Sequence, residues 1–190
     1  MVLLASLSFT KLVGASSFNS FNIKVGSKNF EIPLSPIQEA KIHIAYIDLK
    51  SNKVLIKALA TEIAKYIEQN RDQIDVIVTP EANTIALAYA VSERTGKDYI
   101  VLAKRRRADM GKNALYVKVK SITTAKEQEL WLGKNDIARI KGKKVLILDD
   151  VISSGGTMNA AKDLISKAGG ILQLPPLVCF YEGAENKEVR

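Results

Sequence analysis

Beyond residue 50 the chain is punctuated by short, unbroken apolar runs. They are Ile74 with Val76-Ile77-Val78, then Tyr99-Ile100-Val101-Leu102, Val145-Leu146-Ile147-Leu148 and Leu177-Val178-Cys179-Phe180. Runs of this length without polar alternation suit strands buried on both faces of a parallel sheet. Between them the period changes. Residues 53–70 read as the first strong helix and 85–91 as a helix behind the first run. Met158, Ala161, Leu164, Ile165 and Ala168 form one face of a later helix, which Gly169-Gly170 stop. Two further stretches alternate instead. Phe21, Ile23 and Val25, then Phe30 and Ile32, with Gly26 as the turn, predict a hairpin followed by a strand over 42–47. Residues 114–120 and 129–132 predict a second hairpin with 121–126 at its tip. The pattern as a whole predicts an α/β fold: a central parallel sheet flanked by helices on both faces, with strands near Val76, Val101, Leu146 and Val178.

The densest chemistry follows the third run. After Leu148 come Asp149-Asp150, then Val151-Ile152, then Ser153-Ser154-Gly155-Gly156-Thr157 and the helix that starts near Met158. That turn lies where a strand ends and a helix begins, the edge at which open α/β sheets bind ligands. Unpaired N–H groups at a helix start favour an anion, and Gly155-Gly156 let the backbone approach it. Three hydroxyls, on Ser153, Ser154 and Thr157, suit phosphate oxygens. The two carboxylates do not. They suit a pair of hydroxyl donors such as the vicinal diol of a ribose, or a magnesium ion. A 5-phosphorylated ribose satisfies both halves. Acidic residues at a strand end and small polar residues at a helix cap also occur with no function, and it is the whole stretch together that argues for a site. Neither G-x-x-x-x-G-K-[ST] nor G-x-G-x-x-G after a strand is present.

This stretch resembles the phosphoribosyl pyrophosphate (PRPP) loop of type I phosphoribosyltransferases, in the branch that holds the adenine and xanthine enzymes and the purine operon repressor. The resemblance implies a Rossmann-like core over 51–190, a β-rich hood over 1–50 and a flexible hairpin, in a single domain. It puts Asp149 and Asp150 on the ribose hydroxyls, with magnesium reached indirectly, and Ser153, Ser154, Gly155, Gly156 and Thr157 around the 5-phosphate. Pro80-Glu81-Ala82-Asn83-Thr84 resembles the pyrophosphate loop of that branch, commonly Glu-Ala-x-Gly, with Glu81-Ala82 the place to look for a cis peptide. Thr84 stands where the motif has glycine, and threonine tolerates positive φ poorly, so the backbone of this loop is an open point. Read without the resemblance, Thr79-Pro80 is a strand stop and Asn83 or Thr84 a helix cap. Lys104 and Arg105 match the cations that relatives place against pyrophosphate, whereas Arg106 and Arg107 read equally as a solvated loop. The 121–126 tip resembles the mobile loop that closes over PRPP, bringing Lys126 to pyrophosphate; an ordinary exposed hairpin is the other reading. Glu182 falls where family members place a carboxylate near the base, or is a surface strand end.

The implied reaction is transfer of the 5-phosphoribosyl group from PRPP to a purine, adenine being the expected acceptor, with Mg2+ as cofactor and a homodimer as the assembly. A PRPP-sensing regulator of purine genes, without catalysis, is the alternative. Composition separates the two only partly. A net charge of +8 suits a polyanionic small substrate or nucleic acid. Yet the residues ahead of the first helix read as β rather than helix-turn-helix, so nucleic acid is not expected. With 190 residues, 47% hydrophobic and 25% charged, the chain is long enough for a full core. Cys179 stands alone, which excludes a disulfide framework and points to a buried, inert thiol. His43, the sole histidine, lacks metal-ligating neighbours and reads as structural. Val2-Leu3-Leu4-Ala5 has no basic residue before it and Lys11 soon after, a poor match to a signal peptide, and no run is long enough to span a membrane. A cytoplasmic protein is expected.

Overall fold

A computed structural model describes residues 2–3, 20–37, 42–45, 47–119, 128–152 and 154–181. The four apolar runs are strands β5 (Val76–Pro80), β6 (Asp98–Leu102), β9 (Val145–Ile152) and β10 (Leu177–Tyr181). With β1 (Val2–Leu3) at one edge they form a parallel sheet in the order β1-β10-β9-β5-β6. Parallel neighbours need crossovers, and the helices supply them: α2 (Ile85–Thr95) between β5 and β6, and α4 (Gly156–Lys167) between β9 and β10. The remaining helices are α1 (Lys53–Gln69) ahead of β5 and α3 (Lys134–Ile140) ahead of β9.

Alternation along the strands divides the core between the two faces of the sheet. Ile77, Leu146 and Leu148 pack with Leu55, Leu59 and Ile63 of α1 and Leu87 and Val91 of α2. Val76, Val78, Val145 and Ile147 pack with Ala161, Leu164 and Ile165 of α4 and with Ile140 of α3. Burial on both faces is why these strands read as continuous apolar runs. Helix α1 starts where the Asn52 side chain accepts from the Leu55 N–H at 3.1 Å, an N-cap that satisfies one orphan donor.

The N-terminal expectation is met by β2 (Ser20–Val25) and β3 (Lys28–Ile37), paired antiparallel about Gly26 at φ +58°, with β4 (Ile42–Ala45) antiparallel to β3. Their inward residues Ile23, Val25 and Ile32 join the α1 side of the core. The second hairpin is β7 (Leu115–Val119) with β8 (Gln128–Leu132), and its tip lies outside the described residues. Its base is fixed to the sheet. Ala103 and Trp131 exchange both backbone hydrogen bonds, at 3.1 and 2.8 Å, just past the end of β6. Two features depart from the sequence reading. The pairing of β1 with β10 was not expected, because a two-residue strand is too short to carry a period. Strand β9 also continues through both carboxylates to Ile152 rather than ending at Leu148. Pairing with β10 (Val178 opposite Asp149, Phe180 opposite Val151) extends it past the apolar run.

No helix among the described residues is long and apolar enough to cross a membrane. Cys179 is fully buried, as its sequence context predicts, and burial beside the two Asp carboxylates pushes its thiol well above the ordinary range. A thiol held neutral in this way is a poor nucleophile. His43 lies in β4.

Candidate functional site

The C-terminal ends of β5, β6 and β9 bring three separate segments to one edge of the sheet. The first is β9 and the turn behind it. Gly155 adopts φ +78°, a left-handed conformation that glycine takes without a Cβ penalty, and α4 begins at the next residue. The first helical bond runs from the Asn159 N–H to the Gly155 carbonyl at 2.9 Å, and no side chain caps the helix. The N–H groups of Gly156, Thr157 and Met158 therefore lack intrahelical acceptors. Ser154 is exposed beside them and Thr157 half-buried. Uncapped donors, the positive end of a helix and adjacent hydroxyls together make an anion cradle. Ser153 lies outside the described residues.

On the strand side of that cradle Asp149 is buried, at 7% exposure, and Asp150 is half-buried. Burial, then the neighbouring Asp150 carboxylate, push Asp149 up to about 8, and the Thr84 hydroxyl bonded to it pulls the other way. A carboxyl whose proton is held more tightly in the folded chain than its ordinary 3.8 gives a defined sign of pH dependence. Between those values the folded state binds a proton that the unfolded state does not, so stability is greatest on the acid side and falls as pH rises toward 8. For one group the slope is at most about 1.4 kcal/mol per pH unit. Thermal melts of the ligand-free protein at pH 5 and pH 8 should show Asp149→Asn more stable relative to wild type at the higher pH. An equal difference at both values would remove this account.

The second segment is the β5–α2 loop. The Glu81–Ala82 peptide bond is cis, at the place the family resemblance singles out. Glu81 does not turn its carboxylate to the open side: its Oε2 accepts from the Lys104 N–H at 2.8 Å, and its own N–H donates to the Leu102 carbonyl at 2.9 Å. Ala82 is exposed. Asn83 Nδ2 donates to the Asp150 carboxylate and, at 3.0 Å, to the Ile47 carbonyl, while its Oδ1 accepts from the Leu49 N–H at 3.1 Å. Thr84 Oγ1 lies 3.3 Å from Asp149 Oδ1. The concern over Thr84 is resolved by its φ of −85°, which a threonine adopts freely. It takes the N-cap position of α2 without a side-chain cap bond, so capping is not its role. Sequence reasoning did not find the ties of Asn83 and Thr84 to the carboxylates. The only local signal was a hydroxyl residue where relatives have glycine.

The third segment begins with Lys104 and Arg105 at the end of β6. Both are exposed, and among the described residues neither side chain has a partner. The rest of the basic run is engaged. Arg106 donates to the Gly111 carbonyl at 3.2 Å and lies 5.9 Å over the Trp131 ring, which in turn stacks on Tyr116 at 4.5 Å. Arg107 pairs with Asp109 at 3.2 Å. Lys126 and Glu182 lie outside the described residues. Among those described, no cluster of three or more His, Cys, Asp or Glu side chains is placed to hold a metal. The two adjacent carboxylates nevertheless suit a cation that keeps most of its water and is carried by substrate phosphates, which is how magnesium is usually held.

The sequence model of the phosphoribosyl transferase domain matches residues 46–174. A hypoxanthine/guanine phosphoribosyltransferase of Methanotorris igneus is 37% identical over 138 residues, covering 73% of this chain and 69% of the relative. One from Methanothermococcus okinawensis is 38% identical over 138 residues, covering 72% and 68%. Among solved structures, the adenine phosphoribosyltransferase of Saccharomyces cerevisiae superposes with a TM-score of 0.65 at 19% identity, covering 80% of this chain and 84% of that one. That of Thermoanaerobacter pseudethanolicus gives 0.61 at 22% identity, covering 78% and 81%. At such identities the likeness is one of fold.

Proposed function

This chain belongs to the phosphoribosyl transferase family, and on that premise we propose that it transfers the 5-phosphoribosyl group of PRPP to a purine base and releases pyrophosphate. The observation that carries the proposal is the meeting of a carboxylate pair, Asp149-Asp150, with the uncapped start of α4 within one strand–turn–helix unit. A ribose bearing a 5-phosphate fits that pair of features, its vicinal hydroxyls donating to the carboxylates and its phosphate accepting from the turn. The hood of residues 1–50 is taken to cover the base, over a core of 51–190.

The bond from C1 of the ribose to pyrophosphate breaks, a bond from C1 to a ring nitrogen of the purine forms, and the proton of that nitrogen is released. Positive charge develops on the sugar and negative charge on the leaving group, so positioning and electrostatics do the work. Asp149 and Asp150 hold the sugar. The turn that contains Ser153, Ser154, Gly155, Gly156 and Thr157 holds the 5-phosphate. Lys104 and Arg105 meet the charge growing on pyrophosphate, and Glu81 orients the backbone that presents them. Magnesium, when bound with PRPP, supplies further neutralisation of that charge. No described side chain is required as a general base.

The acceptor is the finer part of the proposal. Relatives at 37 and 38% identity are named for hypoxanthine and guanine, whereas the adenine enzymes share little beyond the fold. That weighting favours a 6-oxopurine over the adenine suggested by the overall layout of the sequence. The test is pyrophosphate release from PRPP and magnesium with adenine, hypoxanthine, guanine, xanthine and orotate supplied separately. Turnover is expected with hypoxanthine or guanine. Turnover with adenine alone would reverse the choice of base, and PRPP binding without turnover on any base would overturn the enzyme in favour of a sensor.

A further inference from the structure

The loop that the family resemblance assigns to pyrophosphate has two side chains directed elsewhere. Asn83 donates to Asp150 and Thr84 donates to Asp149, so two consecutive residues of the β5–α2 loop meet two consecutive carboxylates of β9, one donor to each. Geometry makes such a pairing useful. Successive side chains on a strand leave on opposite faces, so a neighbour that restrains one carboxylate does not restrain the other. Asp149 Oδ1 also accepts from the Asp150 N–H at 2.9 Å, which leaves its setting to be completed by Thr84. The Asn83 amide has one workable orientation. Turned over, its oxygen would face the Ile47 carbonyl and the Asp150 carboxylate, and its NH2 group would face the Leu49 N–H. Thr84 is 1% exposed and Asp149 7%, so little water competes for that bond. The glycine usual at this position has no donor side chain to offer.

We infer that Asn83 and Thr84 are positioning residues, which fix the side-chain directions of Asp150 and Asp149 for the ribose hydroxyls. Through the Ile47 carbonyl and the Leu49 N–H, Asn83 also ties that setting to the segment that enters α1 from the N-terminal strands. The inference rests on the transferase reading above, because it presumes PRPP as the ligand.

Thr84→Val keeps the shape and removes the donor, Thr84→Ser keeps the donor, and Asn83→Asp replaces the donor facing Asp150 by an acceptor. Each is assayed for KM toward PRPP and kcat at saturating base, with thermal midpoints alongside. Thr84→Val should raise KM for PRPP by up to about tenfold, the upper end for one intramolecular hydrogen bond, with a much smaller change in kcat. Thr84→Ser should lie close to wild type, and Asn83→Asp should exceed the valine variant. Wild-type KM in the valine variant, or equal losses with valine and serine, overturns the inference. Asn83→Asp and Thr84→Ser decide it if the valine variant does not fold, since wild-type KM in the first or a serine loss as large as that of Asn83→Asp leaves no role for the donors. Where PRPP binds without turnover, the same ratios are read from calorimetric Kd values. A wild-type protein that neither binds PRPP with magnesium nor turns over removes the transferase reading itself. Active wild type with indifferent variants removes only the positioning role.

Discussion

Asp150→Asn is expected to lower kcat/KM for transfer by about two to three orders of magnitude while leaving the fold intact. The substitution is isosteric and the side chain half-buried, so packing changes little. What changes is charge. An acceptor-only carboxylate becomes an amide, and one of its edges now presents N–H groups either to the sugar hydroxyls or to the Asn83 Nδ2 that donates to it. Charge-assisted hydrogen bonds contribute roughly 1.5–3 kcal/mol each, and about 1.4 kcal/mol is a factor of ten in rate. Losing two of them, each near the lower end of that range, accounts for the expected loss. Stability should move the other way as pH rises toward 8, because removing the half-buried Asp150 charge relieves the part of the Asp149 shift that comes from repulsion, the rest coming from burial. Steady-state kinetics with a thermal melt separate the two effects. A variant that keeps more than a tenth of wild-type activity would show that Asp150 does not hold the sugar.

Much of this arrangement is legible in the sequence, for a physical reason. Doubly buried parallel strands cannot alternate, so Val76, Val101, Leu146 and Val178 announce themselves as apolar runs, and each run lies in its strand. The anion cradle is legible because a strand, a glycine turn and a helix start are contiguous in the chain. Long-range polar contacts are not. Asn83 and Asp150 are 67 residues apart, and an asparagine at the head of a helix reads as a cap unless its partner is known. Thr84 misled in another way. Its departure from glycine suggested strain, whereas its φ of −85° requires none and its hydroxyl reaches a buried carboxylate. The basic run shows the same limit, for nothing in four consecutive cations tells which are spoken for by neighbours.

That division within the run sets the second expectation. Changing Lys104 and Arg105 together to Ala should lower kcat/KM by about a hundredfold, whereas Arg107→Ala should stay within about twofold of wild type, the exposed-pair value. The backbone carrying Lys104 and Arg105 is fixed from two sides: the Glu81 carboxylate takes the Lys104 N–H at 2.8 Å, and Ala103 is bonded to Trp131. Their side chains, in contrast, have no partner among the described residues and remain available to an anion. Arg107 already spends its charge on Asp109, and Arg106 on the Gly111 carbonyl and the face of Trp131. Position is thus set by neutral and acidic groups behind the segment, and charge is left free in front of it. Because both cations are exposed, their effect should weaken with salt, whose screening length is about 10 Å at 0.1 M. The wild-type KM for PRPP should therefore rise with ionic strength, and that of the double variant should rise much less. Equal effects from the free pair and from Arg107, or a salt response the double variant retains in full, would mean that the pyrophosphate is neutralised by groups other than Lys104 and Arg105.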